Sequence, residues 1–328
     1  MDVTRQRRLV QVGMALALLA VGWQYYRWVS HFRHGTPYVP RPAAVEAFLP
    51  ISALVSLKAW ITTGIFPDVH PAGLAIFLAL LLSAVFFHRA VCSWICPVGF
   101  LEEVLGNLGI RLTDRKFEPP TFLDWPLRAI KYLLLGFFVW VVFVDFSGPQ
   151  AMAFVASTYN KLAAVKMLDF WLEPGGMTIG VLLVLGVASL LVQNAWCRYL
   201  CPYGALLGVI GFLSPASVDV TRDPADCNGC GLCTAACPNY VTVETAETVR
   251  SLECTRCSQC LEACPKSALA YSVGPVTMHP RTLGIALLAV VFLVIGGAML
   301  TGHWDTAVTY SEWARLIPAA DGVAHAPY

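Results

Sequence analysis

The sequence predicts an all-α polytopic membrane protein with a small α+β module inserted before its last helix. Three observations predict this class: 57% of the 328 residues are hydrophobic, only 13% are charged, and the apolar residues lie in long stretches. Soluble domains carry about 25% charged residues, so this chain has too few ionic groups to cover a surface in water. The formal net charge of +1 also lacks the basic surplus that a nucleic-acid-binding protein would show.

Five apolar stretches are long enough, or nearly so, to cross the roughly 30 Å hydrocarbon layer as helices. The first runs into an aromatic belt with no small-residue cleavage site after it, which predicts a retained span and not a signal peptide. In the third, we expect Lys131 to reach the headgroups at one end and Asp145 to lie near the other. The predicted spans are Leu9–Tyr26, Pro71–Phe87, Ala129–Ser147, Met177–Trp196 and Leu283–Thr301.

The positive charges and the cysteines predict the same orientation. With the N-terminus inside, residues 1–8, 88–128 and 197–281 are cytoplasmic, and together with Lys131 they hold 15 of the 22 Lys and Arg residues. All twelve cysteines fall in these segments, as expected for thiols in a reducing compartment. The shorter apolar segment Phe48–Leu57 favours a re-entrant or interfacial position over a sixth span.

A repeated motif follows two of the predicted spans. The pattern Cys-x3-Cys-Pro-x-Gly begins at Cys92 and again at Cys197, 105 residues later. We call Cys92–Pro97 the first corner and Cys197–Pro202 the second corner. The repeat predicts two parallel hairpins related by an axis along the membrane normal, with the two corners facing each other at the cytoplasmic surface.

The remaining eight cysteines form two copies of one closely spaced run. The pattern Cys-x2-Cys-x2-Cys-x3-Cys-Pro covers Cys227–Pro238 and recurs 27 residues later at Cys254–Pro265. In the two-cluster bacterial ferredoxin pattern, the fourth cysteine of each run ligates the other [4Fe–4S] cluster. Zinc sites and disulfides are disfavoured by the spacing and by the compartment. The predicted ligands are Cys227, Cys230, Cys233 and Cys264 for the first cluster, and Cys254, Cys257, Cys260 and Cys237 for the second.

These patterns predict three regions. Residues 1–215 form a transmembrane domain with the two hairpin and corner repeats, and residues 216–275 form a cytoplasmic ferredoxin-like domain with two [4Fe–4S] clusters. Residues 276–328 contain the fifth span and a short extracytoplasmic tail.

Four cysteines lie at the two corners and leave three interpretations open. They could hold a third [4Fe–4S] cluster, with two ligands from each repeat. They could instead form a redox-active thiol pair or a copper site, because soft thiolates hold Cu(I) well. The third interpretation is that they are small buried residues at a helix bend. The four residues are Cys92, Cys96, Cys197 and Cys201.

At the corners and the double cysteine run, the chain resembles the NapH/NosR/CcoG-type family of membrane polyferredoxins. The resemblance covers roughly Val45 to Lys266 and rests on the combination of both motifs. It implies a multi-pass protein of the bacterial inner membrane that carries electrons as a subunit of an oxidoreductase complex. The expected partners are a cytoplasmic ferredoxin or flavoprotein donor, or the quinone pool, and an extracytoplasmic or membrane redox subunit.

Two other functions remain open at this point. The chain could be an assembly factor that reduces or delivers copper to a metalloenzyme through the corner thiols, or a redox sensor whose clusters report oxidation. The sequence contains neither a Cys-x-x-Cys-His haem motif nor a GxGxxG nucleotide fingerprint. Four ionisable residues near span ends are candidates for a quinone site, although headgroup anchoring is the favoured interpretation. They are Glu46, Lys58, His70 and His88.

Overall fold

The computed structural model describes residues 3–323, most of which are helical. Between α12 and α15 lies a four-stranded antiparallel sheet of order β2-β1-β3-β4. The helices are α1 Val3–His34, α2 Pro50–Thr63, α3 Pro71–Phe87, α4 Ala90–Trp94, α5 Pro97–Thr113, α6 Thr121–Trp140, α7 Gly148–Ala156, α8 Thr158–Lys161, α9 Ala163–Leu172, α10 Gly176–Leu191, α11 Ala195–Tyr199, α12 Pro202–Leu213, α13 Leu232–Ala235, α14 Gln259–Glu262, α15 Pro280–Leu300 and α16 Tyr310–Leu316. The strands are β1 Asp219–Arg222, β2 Thr248–Val249, β3 Leu269–Val273 and β4 Val276–Met278, and short 3-10 helices cover Ala43–Phe48 and Ala320–Gly322.

Three helices in the described part of the chain are long and apolar enough to cross a membrane. They are α1, α15, and α6 together with the π-helical turn Val141–Asp145 that continues it. The pair α9 and α10 is a fourth candidate, bent by 79° where Pro174 and Gly175 interrupt the helix. Helix α3 is apolar but has 17 residues, the lower limit for a span. The chain is therefore a membrane protein, and the number of five spans stays a prediction.

The pattern of contacts between residues divides the chain into two compact units. Unit 1 contains the start of α1 up to Ala15, together with Leu80–Leu135 and Gly180–Val291. Unit 2 contains Leu16–Ala79, Gly136–Ile179 and the chain from Phe292 onward. Helices α1, α3, α6, α10 and α15 each contribute residues to both units, and each overlaps one of the five predicted spans. Three of those spans are predicted to end later than the helices do, since α6 ends at Trp140, α10 at Leu191 and α15 at Leu300.

Unit 1 contains both corners and a ferredoxin module, which we define as residues 219–278 from β1 to β4. Its central strands pair Val220 with Tyr271, and Val220 also pairs with Val249 of β2. These three side chains are buried on one face of the sheet. The short helices α13 and α14 each follow a cysteine-rich loop, so the module combines a small sheet with two helical turns.

Unit 2 contains an apolar core and a buried polar cluster. Its larger core packs Trp28 of α1 against Trp313 and Ile317 of α16 and Leu162. In the polar cluster, the Glu46 carboxylate accepts hydrogen bonds from Arg41 and from the backbone N–H of Gly73, and lies 3.1 Å from Nδ1 of His70. Glu46, His70 and, in unit 1, His88 are all almost fully buried. The expectation that these three residues anchor helix ends in headgroups is therefore wrong, because protein atoms surround them.

Candidate iron–sulfur sites

The first predicted set of four ferredoxin cysteines surrounds one cavity at the edge of the module. Cys227, Cys230 and Cys233 line it together with Cys264 from the second cysteine run. Two glycines with positive φ, Gly229 and Gly231, shape the loop. Of these four cysteines, Cys230 is exposed to solvent.

The second predicted set surrounds another cavity that lies deeper in the module. Cys254, Cys257 and Cys260 line it with Cys237 from the first run, so each run contributes its fourth cysteine to the opposite cavity. Val220, Val249 and Tyr271 of the sheet also form its wall.

Burial separates the two sets of thiols electrostatically. Burial raises the pKa of the Cys237 thiol to about 12 and also raises the pKa of Cys257 and Cys260. In contrast, the backbone N–H of Gly229 and the Arg222 side chain lower the pKa of Cys227. Because iron binds the thiolate, cluster binding in the second cavity must supply the free energy of deprotonating buried thiols.

The loops around the two cavities share one backbone conformation at a spacing of 27 residues. Gly229 and Arg256 both have positive φ, as do Gly231 and Ser258, which begin α13 and α14. In the second loop the non-glycine side chains make buried hydrogen bonds. Arg256 donates from Nε to the Val218 carbonyl and from Nη2 to Asp219, each at 2.7 Å. Ser258 lies 3.0 Å from the Tyr271 hydroxyl, which also donates to the Arg256 carbonyl.

The two corners have matching local geometry. In each corner a five-residue helix precedes the second cysteine, whose N–H donates to the carbonyl five residues earlier. Cys96 donates to the Val91 carbonyl at 2.9 Å, and Cys201 donates to the Trp196 carbonyl at 3.0 Å. Both cysteines then adopt extended ψ, 122° and 103°, because a proline follows and disfavours helical geometry before it. Helices α5 and α12 begin at those prolines.

A glycine two residues after each proline allows other backbone and side-chain atoms to pack closely against the start of the following helix. A Cβ on Gly99 would lie 1.9 Å from the Cys92 carbonyl oxygen, a distance that no side chain could accept. A Cβ on Gly204 would lie 2.8 Å from Nη2 of Arg89, whose guanidinium occupies the space beside the second corner. Lack of space for a side chain therefore explains the glycine of Cys-x3-Cys-Pro-x-Gly in both copies of the motif.

The structure brings the four corner thiols within electrostatic range of one another. Burial raises the pKa of Cys96 to about 12, with further increases from the charges of Cys92 and Cys201. The pKa of Cys197 is raised well above its ordinary value by burial and by the other three thiols. Four such thiols could exist together as thiolates only with a cationic group among them, which an iron cluster supplies.

A third cavity lies between the corners and the second cluster cavity. Cys92 and Cys197 line it, one from each corner, whereas Cys96 and Cys201 do not. It shares Cys257 with the second cavity, as well as Asn239 and Thr255. The corners and the second cavity are therefore neighbours.

Among residues 3–323, no three His, Cys, Asp or Glu side chains converge as the donors of a single metal ion do. The ligands of a four-iron cube stand apart, because each binds a different iron.

Hydrogen bonds through Thr255 and Asn239 connect the module to both corners. Ser93 of the first corner donates to the Thr255 carbonyl at 2.7 Å. Asn239 donates to the Thr255 hydroxyl at 2.9 Å and accepts from Asn194, which precedes the second corner, at 3.0 Å. This buried chain fixes the second cavity against the two corners.

Lys131 is not at the membrane surface, so the expectation that it reaches headgroups is wrong. It is fully buried, and its Nζ lies 2.7 and 2.6 Å from the two carboxylate oxygens of Glu253. Arg89 contacts the same carboxylate at 3.0 Å, and Glu253 directly precedes the cluster cysteine Cys254. The signal available in the sequence was an ionisable residue inside an apolar stretch, which normally has a partner within the protein.

Membrane helices joined to a folded double four-cysteine module define the class of membrane ferredoxins. Two family models agree with this class: a 4Fe-4S binding domain matches residues 69–119 and again 174–217, and a 4Fe-4S dicluster domain matches residues 219–265. The two matches of the first model begin 105 residues apart, the offset between the corners.

The chain belongs to the NapH/NosR-type family of membrane polyferredoxins. It is 36% identical over 99% of its length to YccM of Escherichia coli K12, a protein named for electron transport, and covers 93% of that protein. It is 31% identical to the methylamine utilization ferredoxin-type protein MauN of Methylorubrum extorquens, over 84% of this chain and 89% of MauN.

A third relative is the ferredoxin-type protein NapH of Escherichia coli K12, which is 27% identical over 51% of this chain and 55% of NapH. No solved structure matches the chain. The relatives and the domain matches together assign this protein an iron–sulfur electron-transfer role in a membrane.

Proposed function

We propose that the protein relays electrons through three [4Fe–4S] clusters between the cytoplasmic side and a redox partner on the other side of the membrane. The observation that carries the proposal is that cysteines from two separate segments meet at three places: in each of the two ferredoxin cavities, and at the corners, where the four thiols influence one another. When bound, such clusters exchange single electrons, with potentials set by charge, hydrogen bonding and exposure.

The proposed ligands of the two ferredoxin clusters are the two sets described above. For the third cluster they are Cys92, Cys96, Cys197 and Cys201. Their mutual electrostatic influence, the matching corner geometry and the repeated 4Fe-4S domain match all support this set. The second cavity is the intermediate one, because Cys257 borders the third cavity and the charge of Cys233 from the first set acts on Cys260.

We place the ferredoxin module and the corners in the cytoplasm of a bacterial cell, below five spans of the inner membrane. The charge bias and the cysteine distribution support this orientation, and the five helices shared between the two units support the number of spans. In this topology the exposed first cavity meets a cytoplasmic ferredoxin or flavoprotein. The corners lie where a quinone or a membrane subunit could exchange electrons with the third cluster.

The first test is the content of iron and acid-labile sulfide per chain after anoxic purification. We expect about twelve irons in the wild type and about eight in the Cys92→Ser/Cys197→Ser variant. The matched control Cys227→Ser/Cys264→Ser should also fall to about eight, with loss of a different paramagnetic signal. Eight irons in both the wild type and the corner variant, with copper bound at the corners, would contradict the third cluster and favour a copper assembly factor.

The second test addresses sidedness. Dithionite does not cross sealed membranes, so it should reduce the clusters rapidly in inverted vesicles and slowly in right-side-out vesicles. Quinol dissolved in the bilayer should reduce them in both preparations if the quinone pool is a donor. Rapid dithionite reduction only in right-side-out vesicles would contradict the cytoplasmic placement.

A further inference from the structure

Arg89 is a buried cation next to the first corner that also contacts the second corner and the ferredoxin module. It lies three residues before Cys92, and only 2% of its surface is exposed. Its Nη2 donates to the Cys197 carbonyl of the second corner at 3.2 Å. Its Nη1 donates to the carbonyl of Leu252 at 2.9 Å and to Glu253 at 3.0 Å.

Two glycines of α12 make room for this side chain. A Cβ on Gly204 would lie 2.8 Å from Nη2 of Arg89, and one on Gly208 would lie 3.1 Å from its Cδ. The first of these hypothetical atoms would also lie 3.7 Å from Sγ of Cys201. The guanidinium therefore packs directly against the turn that carries a corner cysteine.

Around the Glu253 carboxylate the charges leave an excess of one positive charge, because Arg89 and Lys131 both bind it. Glu253 is the carboxylate nearest to Arg89, and it is shared with Lys131 and Tyr132. The neighbouring Asp124 is likewise shared between two cations, Arg198 and Arg128. A buried charge without compensation costs several kcal/mol, so this region requires a further anion.

The corner thiolates are the anions within reach. The Arg89 guanidinium donates to the Cys197 carbonyl at 3.2 Å, and a Cβ on Gly204 would touch both this guanidinium and the Cys201 sulfur. Neutral thiols would leave the positive charge uncompensated, whereas four thiolates around a cluster carry net negative charge that Arg89 offsets.

We infer that Arg89 is a positioning residue that sets the reduction potential of the third cluster, an inference that rests on the proposed third cluster. One-electron reduction adds a negative charge at the corners without breaking a bond. The fixed positive charge of Arg89 stabilises that reduced state and raises the potential. Removing the charge therefore lowers the potential, and the effect is largest for the cluster whose ligands face Arg89.

The experiment is an EPR-monitored redox titration of the purified full-length chain, with dithionite as reductant. The third-cluster signal is identified as the one lost in Cys92→Ser/Cys197→Ser. In Arg89→Gln we expect its midpoint potential to fall, with a smaller change at the second cluster and none at the first. Arg89→Lys keeps the charge and should restore most of the shift.

Arg222→Gln is the matched control, because Arg222 lies beside Cys227 of the first cavity. It should lower the midpoint of the first cluster and leave the third unchanged. If Arg89→Gln loses the third cluster, Lys131→Gln tests the same charge excess and should shift the midpoint downward by less. About twelve irons with an unchanged third midpoint in Arg89→Gln would overturn the inference.

Equal downward shifts in Arg89→Gln and Arg89→Lys would also overturn the inference, because a structural disturbance would then explain them. Eight irons in the wild type would instead contradict the third cluster itself, so the two failures are distinguishable.

Discussion

The two halves of the ferredoxin module, Cys227–Tyr240 and Cys254–Ser267, have similar backbones and opposite surroundings. Positive φ occurs at equivalent positions 27 residues apart, including the last residue of each half. At the first two of these positions the first half has Gly229 and Gly231, and its Cys230 is exposed. The second half uses Arg256 and Ser258, which are almost fully buried and hydrogen-bonded.

Because of this difference, the two halves of the repeat can have different roles. The exposed half can meet a soluble partner, because its Cys230 is exposed to solvent. The buried half holds the module together and lies against the corners, so its cluster site is part of the core. A left-handed residue with a large side chain costs about 1–2 kcal/mol, and in the second half buried hydrogen bonds offset that cost.

The largest expected effect comes from removing one ligand in each half. Cys230→Ala should lower the iron content from about twelve to about eight, because its exposed loop can lose one cluster without unfolding the module. Cys257→Ala should leave about four irons or fewer, because it empties a cavity walled by the sheet and removes folding energy supplied by the cluster. Iron analysis and limited proteolysis measure both. Equal iron loss in the two variants would contradict the distinction between the halves.

The next effect concerns two arginines that bind the same carboxylate, Asp219. Arg256 is buried, whereas the side chain of Arg250 is 55% exposed and lies 3.1 Å from Asp219. Arg256→Gly relieves the left-handed backbone but removes buried charged hydrogen bonds, so we expect a net loss of about 3 kcal/mol. Arg250→Gln should cost at most about 0.5 kcal/mol. The urea midpoint for loss of cluster absorbance compares them, and a similar midpoint for both would argue against burial as the cause.

A smaller effect is expected at the glycines of the first loop. Gly229→Ala and Gly231→Ala should each cost about 1 kcal/mol, because both positions have φ near +70°. Gly231→Ala should cost more, since its Cβ would lie 2.6 Å from the Glu244 carboxylate. The Glu244→Ala background should remove that difference. A difference that persists in this background would place the cause elsewhere in the loop.

The smallest effect is expected at Ser258. Ser258→Gly loses the contact with Tyr271 but relieves the left-handed backbone, so the two changes of about 1 kcal/mol each should nearly cancel. Ser258→Ala loses the contact without that relief and should be about 1 kcal/mol less stable. Thermal loss of cluster absorbance distinguishes these variants. A strongly destabilised Ser258→Gly would mean that the hydroxyl does more than bind Tyr271.

Short-range rules predicted much of this molecule. The cysteine spacing grouped the two ferredoxin sets, and the prolines predicted the helix breaks at Cys96 and Cys201. The family predicted from these motifs is confirmed. The predicted span Met177–Trp196 ends too late, because α10 ends at Leu191 and Asn194 adopts a left-handed conformation before α11 begins.

Long-range ionic contacts could not be predicted. Lys131 and Glu253 are 122 residues apart, and no local pattern says which buried carboxylate a buried lysine will meet. The same holds for Glu46 and His70, which the sequence placed near span ends and the fold buries against each other. Such pairs are determined by how elements pack, and that information is spread over the whole chain.

The Glu253 carboxylate binds two cations that lie outside the ferredoxin module, so the module could not simply be exchanged for one from another protein. Its two cationic partners, Arg89 and Lys131, lie 164 and 122 positions earlier in the chain, outside any segment that a graft would carry. A module borrowed from a soluble ferredoxin would leave both cations buried without their carboxylate, at a cost of about 3–5 kcal/mol. A stable exchange of the module would therefore require matching changes at positions 89, 131 and 253.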